Sequence, residues 1–192
     1  MKLSKEVETK LLSFVKEIFN DDKWDYAHTL SCVKIMKKLI SSERGNERIL
    51  IPVMYLHDIG YAGQLKDGYT LEERIKVKET HMILGAKKAK DFLSTLGFSL
   101  KEVEKICHLI KVHDDLVSEK SFEERLVIEA DSLGQIDPLV GNNFGEGEFA
   151  RYVKIFERKR VPLFVTSTGK EMLGEFAREN ELFQKYTKLF KK

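Results

Sequence analysis

Residues 49–60 read ILIPVMYLHDIG, an apolar run from Ile49 to Leu56 closed by His57-Asp58 and then Ile59-Gly60. A run this apolar belongs in a protein interior, so the two polar residues at its end are carried inward with it. A carboxylate aimed into a core is costly unless it is paired or bound to metal. The adjacency of the two residues matters, because one turn of backbone can then offer a nitrogen and an oxygen ligand to the same ion.

Outward from that run, the chain reads as helical. Only Pro52, Pro138 and Pro162 interrupt it, and the apolar residues recur mostly at helical spacing. Four segments open with a hydroxyl residue followed three positions later by Glu: Thr70/Glu73, Ser99/Glu102, Ser121/Glu124 and Thr168/Glu171. In such a capping box the hydroxyl accepts from an orphan N–H of the first turn while the Glu reaches back to the cap. The pattern predicts helices near 4–20, 23–42, 47–59, 71–96, 100–115, 121–136, 146–159 and 168–190. Pro52 requires the third of these to start later or to kink. Glycines mark two loops, one at Gly60, Gly63 and Gly68, the other at Gly134, Gly141, Gly145 and Gly147. No repeat or linker divides the chain, so 1–192 is expected to be a single all-α domain of seven or eight helices. Its polar motifs fall within 23–137, and 145–192 forms a helical extension.

Further polar groups share apolar faces. His28 lies on one face with Cys32, Ile35 and Leu39, and His113 continues the stripe Val103, Ile106, Ile110. His108, five residues upstream, competes with His113 as the ligand of this helix, but it falls about 140° away around the helix, off the apolar stripe, where a structural or surface role is expected. Asp131 follows Val127 and Ile128 and faces inward by the same pattern. A single inward histidine is ordinarily a hydrogen-bonded core residue. Two imidazoles and two carboxylates together ask for a common partner, and a divalent cation satisfies them all. Cys32 and Cys107 are expected to be small core fillers.

The ordered set His28, His57-Asp58, Asp131 resembles the H…HD…D signature of HD-domain metal-dependent phosphohydrolases. The contexts YLHDIG (55–60), THMILGA (80–86), ICHLIKVHDD (106–115) and IEADSLGQID (128–137) resemble the family's motif segments as well. The resemblance implies an HD-type helical bundle in which His28, His57, Asp58 and Asp131 hold one divalent metal. His81 and His113 stand where members with a second metal place two further histidines, the aspartate of the HD pair bridging the ions. His81 sits one turn before Gly85, where the missing side chain admits a ligand or a neighbouring helix. Nitrogen and oxygen ligands suit one or two ions of Mn, Fe, Co, Ni or Zn better than Mg. The implied reaction is attack on a phosphoester or phosphoanhydride by metal-activated hydroxide, with His57 and Asp58 as catalytic residues.

Departures from the family pattern narrow the substrate little. Tyr61 replaces the lysine of HDIGK and no Gly-Tyr-Pro element occurs, unlike cyclic-dinucleotide hydrolases. No Glu follows the HD pair as in deoxynucleotidase-like members, and HDxxED is absent. Glu129 and Ser132 stand where Asp and Arg are common, which removes one phosphate-binding arginine. Lys66, Lys111 and Arg125 are candidate substrate-phosphate contacts by proximity to the motifs.

Composition sets the outer limits. With 42% hydrophobic and 33% charged residues, the chain is too apolar for disorder, and a net charge of +2 gives no support for dedicated nucleic-acid binding. No apolar run approaches the ~18 residues of a membrane span, and MKLSKEVETK is too charged for a signal peptide. Two cysteines suit a cytoplasmic protein with free thiols. Charge is uneven: residues 1–147 carry 22 basic and 25 acidic groups, and 148–192 carry 11 and 6. Arg158-Lys159-Arg160 reads as a solvated basic face, with a positive rim for an anionic substrate as the alternative. The expected function is therefore a metal-dependent phosphohydrolase acting on a small phosphorylated substrate, a nucleotide or dinucleotide. The alternatives are a sensor or scaffold that binds such a ligand without turnover, and a metal-free interaction module. Composition and motifs leave the oligomeric state open.

Overall fold

The structure, a computed structural model, describes residues 2–20, 23–65 and 69–189. Among these residues run α1 (Lys5–Ile18), α2 (Lys23–Glu43), α3 (Glu47–Leu56), α4 (Leu71–Lys76) and α5 (Lys78–Leu93). They continue as α6 (Leu100–Val112), α7 (Phe122–Ile136), α8 (Glu146–Lys159), α9 (Ser167–Glu179) and α10 (Glu181–Tyr186). A 3₁₀ turn, Val161–Leu163, joins α8 to α9, and the described residues contain no strand. Lys66 and Gly68 lie outside the described residues.

Every residue of α3 from Ile49 to Leu56 is buried. A helix apolar all round must occupy the centre, and α1, α2, α6 and α7 pack about it. The helix begins at Glu47, capped by the Asn46 side chain, which accepts from Arg48 N at 3.1 Å. Pro52 neither delays that start nor ends the helix; it sits inside α3, where the ring's apolar surface is buried and one backbone donor is lost.

Three of the four capping boxes form: Thr70/Glu73 on α4, Ser99/Glu102 on α6 and Ser121/Glu124 on α7. The fourth does not. The cap of α9 is Thr166, whose hydroxyl accepts from Gly169 N at 2.9 Å. Buried Glu129 on α7 dictates this shift, because its carboxylate accepts from Val165 N, Thr166 N and the Thr166 hydroxyl.

Two expected helices each divide. The segment 71–96 breaks at Val77, which ends α4 and starts α5, and no residue near it is a helix breaker. The segment 168–190 breaks at Asn180, whose side chain accepts from Phe183 N at 2.8 Å and donates to Ile136 O at 3.0 Å. One contiguous core links these elements, from Leu11 and Val15 on α1 to Phe156 on α8 and Phe183 on α10. The last two rings meet edge to face at 5.3 Å. No described helix is long and apolar enough to cross a membrane.

The turn that follows α3 is set by close backbone approach. A Cβ on Gly60 would lie 1.9 Å from His81 O, and one on Gly85 would lie 3.3 Å from His57 O. The space at Gly85 thus admits the turn carrying His57-Asp58.

Candidate metal centre

Five elements converge on one point. His28 comes from α2, His57 and Asp58 from the turn after α3, His81 from α5, His113 from the C-cap of α6, and Asp131 from α7. All six are buried, none more than 3% exposed. The Asp58 carboxylate lies between two histidine pairs. Its Oδ2 is 3.6 Å from His28 Nε2 and 3.5 Å from His57 Nε2. Its Oδ1 is 3.4 Å from His81 Nε2 and 3.3 Å from His113 Nε2. Asp131 joins the first pair, Oδ1 being 3.2 Å from His28 Nε2 and 3.7 Å from His57 Nε2.

The surroundings fix which atoms face the centre. His57 Nδ1 donates to Met54 O at 2.8 Å and His113 Nδ1 donates to Ile110 O at 2.7 Å. Each imidazole therefore turns its Nε2 inward, the arrangement that orients a metal-ligating histidine. His81 Nδ1 has no hydrogen-bond partner among the described residues, and Tyr61 stacks on that ring at 3.8 Å. Asp131 accepts from Gln135 at 2.8 Å on Oδ1 and from Arg160 at 2.8 Å on Oδ2. Asp58 Oδ2 accepts from Arg74 at 3.2 Å.

Charge balance explains the titration of these groups. Burial opposes ionisation of Asp58, yet His57, hydrogen bonds from His113 and His81, and the Arg74 charge hold its carboxyl well below the ordinary range. Burial likewise opposes ionisation of Asp131, and Arg160 with His28 outweighs it in the same direction. Burial opposes protonation of His57, but Asp58 and Asp131 raise it well above the ordinary histidine value. Burial dominates at His81 and lowers it. Two buried carboxylates thus face the same pair of rings, His28 and His57, and the positive charge they call for is one that a divalent cation supplies. Four imidazoles and two carboxylates fit such an ion, and together with the Cys32 thiol they fall into two groups: His28, Cys32, His57 and Asp131, and Asp58, His81 and His113.

Other candidate residues are placed elsewhere. His108 is half exposed on α6 and lies 2.9 Å from Glu124. Cys32 packs on His28, its Sγ 3.5 Å from Nε2, so it borders the site as well as filling core. Lys111 is exposed; two residues before His113, it points about 160° away around α6. Arg125 is half-buried six residues before Asp131, about 120° away around α7. Neither is among the described residues lining the cavity beside the cluster.

That cavity, of about 220 Å³, opens from Asp58, His81, His113 and Asp131. Its cations are Arg74, Lys78, Arg158, Lys159 and Arg160, and its aromatic walls are Trp24, Tyr61, Phe144, Phe149 and Tyr152. The Arg74 guanidinium lies 4.0 Å above Tyr61 and 5.1 Å above Trp24 and also pairs with Asp25 at 3.1 Å. Reading Arg158-Lys159-Arg160 as a solvated face is corrected at its last member. Arg158 and Lys159 are exposed, but Arg160 is buried and bonded to Asp131, Ser132 and Asp114. The signal was present: Arg160 extends the buried stripe Phe149, Val153, Phe156, four residues beyond its last member. Arg74 likewise falls three residues after Leu71 and seven before His81 on the inner face of α4 and α5.

Comparison with known proteins places this geometry. The family model described as "HD domain" matches residues 25–135. The curated "Putative phosphohydrolase YueE" of Bacillus subtilis (strain 168) is 28% identical over 114 residues. That alignment covers 57% of this chain and 65% of the relative, so the chain spans less than two-thirds of the relative's length. A crystal structure titled "predicted HD superfamily hydrolase", from an uncultured Thermotogales bacterium, shares the fold. Its TM-score is 0.62 at 21% identity, covering 88% of this chain and 84% of that one.

Proposed function

The chain belongs to the HD-domain family, and from that premise we propose a metal-dependent phosphohydrolase that cleaves a small phosphorylated substrate, a nucleotide. One observation carries the reading: the Asp58 carboxylate stands between His28/His57 on one side and His81/His113 on the other. Residues His28, His57 and Asp131 would hold one divalent cation and His81 and His113 a second, with Asp58 shared between them. When bound, such a cation neutralises phosphoryl oxygens and makes water a competent nucleophile near neutral pH.

The remaining work falls to the chain's own side chains. Asp58 aligns both histidine pairs, and His57 is held by its bond to Met54 O so that its Nε2 stays directed at the centre. Arg74 lines the cavity, where a guanidinium fork suits phosphoryl oxygens, while Arg160 lines it with its own fork turned to Asp131, Ser132 and Asp114. Trp24, Phe144 and Tyr152 offer flat apolar surface to the rest of the substrate and exclude water. A cavity of about 220 Å³ suits a small substrate.

Assay of the purified protein with Mn, Co or Ni against a nucleotide panel tests the reading. Wild type is expected to release phosphate or nucleoside, and Asp58→Ala to lose about 10³-fold in kcat/KM, several kcal/mol of transition-state stabilisation. Equal rates for the two proteins with every metal would overturn the hydrolase. Ligand-induced stabilisation without any product would instead mark a sensor.

A further inference from the structure

Arg160 lies 25 residues beyond the span matched by the family model, yet its side chain reaches the metal centre. It is the C-cap of α8 and only 7% exposed. Its Nη1 donates to Asp131 Oδ2 at 2.8 Å and to Ser132 Oγ at 2.9 Å, and its Nη2 donates to Asp114 Oδ1. Asp114 follows His113, and its other oxygen is 3.0 Å from Lys78 Nζ at the start of α5. One guanidinium therefore joins the three elements that carry Asp131, His113 and, through Lys78, His81.

We propose that Arg160 is a positioning residue of the metal centre, so that the C-terminal segment is a working part of the site. This rests on the metallohydrolase reading. A carboxylate can rotate about its last torsion and present either oxygen. With Oδ2 held by Arg160, Asp131 keeps Oδ1 on the side of His28 and His57. Partners of this kind orient a ligand and typically contribute 10–100-fold to metal affinity or activity. Lysine cannot substitute fully, because a single ammonium lacks the planar fork that reaches Asp131, Ser132 and Asp114 together.

The test needs a readout of metal binding apart from turnover. Trp24, the chain's single tryptophan, stacks on His28 with ring centroids 5.0 Å apart, so its fluorescence reports an open-shell ion at that histidine. Metal-free protein is titrated with Co(II), following Trp24, with equilibrium dialysis as an independent count of bound ion. Arg160→Gln is expected to weaken the midpoint about 10–100-fold. Arg160→Lys should fall between the two, and millimolar guanidinium should partly restore Arg160→Ala. Arg151→Gln, an exposed change on the same helix, should match wild type.

A purely structural role predicts a lower melting temperature with an unchanged midpoint; that result overturns the proposal. So does a wild-type midpoint, within twofold, in both Arg160→Lys and Arg160→Gln. If Arg160→Gln does not fold, Arg160→Lys and Asp114→Asn decide by the same criterion. Asp131→Asn separates the two levels of inference. Should it bind Co(II) as wild type does, the metal reading itself fails; should it lose binding while the Arg160 variants keep it, only the role of Arg160 fails.

Discussion

Asp58 accepts from Arg74 on the same oxygen that faces His28 and His57, so one oxygen meets a guanidinium and two imidazoles. Gly134 is the other decisive single position. A Cβ there would lie 2.4 Å from Cys32 Sγ and 3.1 Å from the His28 ring. Gly134→Ala is therefore expected to destabilise the fold by about 1–3 kcal/mol and to weaken metal binding by displacing His28. Adding Cys32→Ala removes the sulfur and should recover most of that stability. A double-mutant cycle in denaturant melts measures the coupling, and strictly additive losses would refute the contact. At this scale the sequence was legible where a polar residue lay within an apolar stripe, as His28, His113 and Asp131 did, and misleading at Arg160, which ends one beside two exposed basic residues. Gly134 was legible only as a loop glycine, because the sulfur it accommodates belongs to a helix 102 residues earlier in the chain.

Helix-to-helix staples give the elements their placement. Arg48 on α3 donates from Nε to Glu102 on α6 at 2.5 Å, donates to Gly97 O at 3.2 Å and lies over the Phe98 ring at 4.7 Å. The hydrogen bond from Arg48 pulls the Glu102 carboxyl from an ordinary 4.5 down to about 2. A depressed folded value means that this pair contributes fully above pH 4.5 and is lost as pH falls towards 2. Glu102→Gln keeps the capping geometry and removes the charge. The melting-temperature gap between wild type and this variant should be flat from pH 7 to 5 and close below pH 4.5. The pair is partly exposed, so the gap corresponds to ~1 kcal/mol or less. Gly60→Ala acts on another contact between elements. Its Cβ would meet backbone at His81 O, which cannot rotate away, so a loss of about 3 kcal/mol in chemical denaturation is expected. Capping boxes made the starts of α4, α6 and α7 readable because their partners are three residues apart. The start of α9 was not, since Glu129 on α7 overrides the local pattern.

At the scale of the whole molecule, two buried carboxylates and four imidazoles at the meeting of five elements make the native state the only one that assembles the site. An ion that binds this state alone stabilises it by about 2.7 kcal/mol at one hundred times its dissociation constant. For a chain of this size that raises the melting temperature on the order of 5–10 °C. Adding Mn or Co to chelator-treated wild type should produce that rise, and Asp58→Ala should show little of it in the same calorimetric scan. The uneven charge of the chain also acquires a place, with Arg158, Lys159 and Arg160 of the basic C-terminal part lining the cavity beside Asp58 and Asp131.

The helical class and most helix starts were legible along the chain, because periodicity and caps operate within a few residues, and the resemblance to the family singled out the six residues that the fold brings together. Membership of the HD-domain family follows from the same ordered residues. Long-range packing alone brings Arg74 and Arg160 to the site, divides the Asp58 oxygens between two histidine pairs and walls the open space beside them with aromatics. Asp131 and Arg160 are 29 residues apart and Asp114 and Arg160 are 46 apart. No local pattern specifies such pairs; they exist because packing α8 against the core points the end of its buried stripe at the His/Asp cluster.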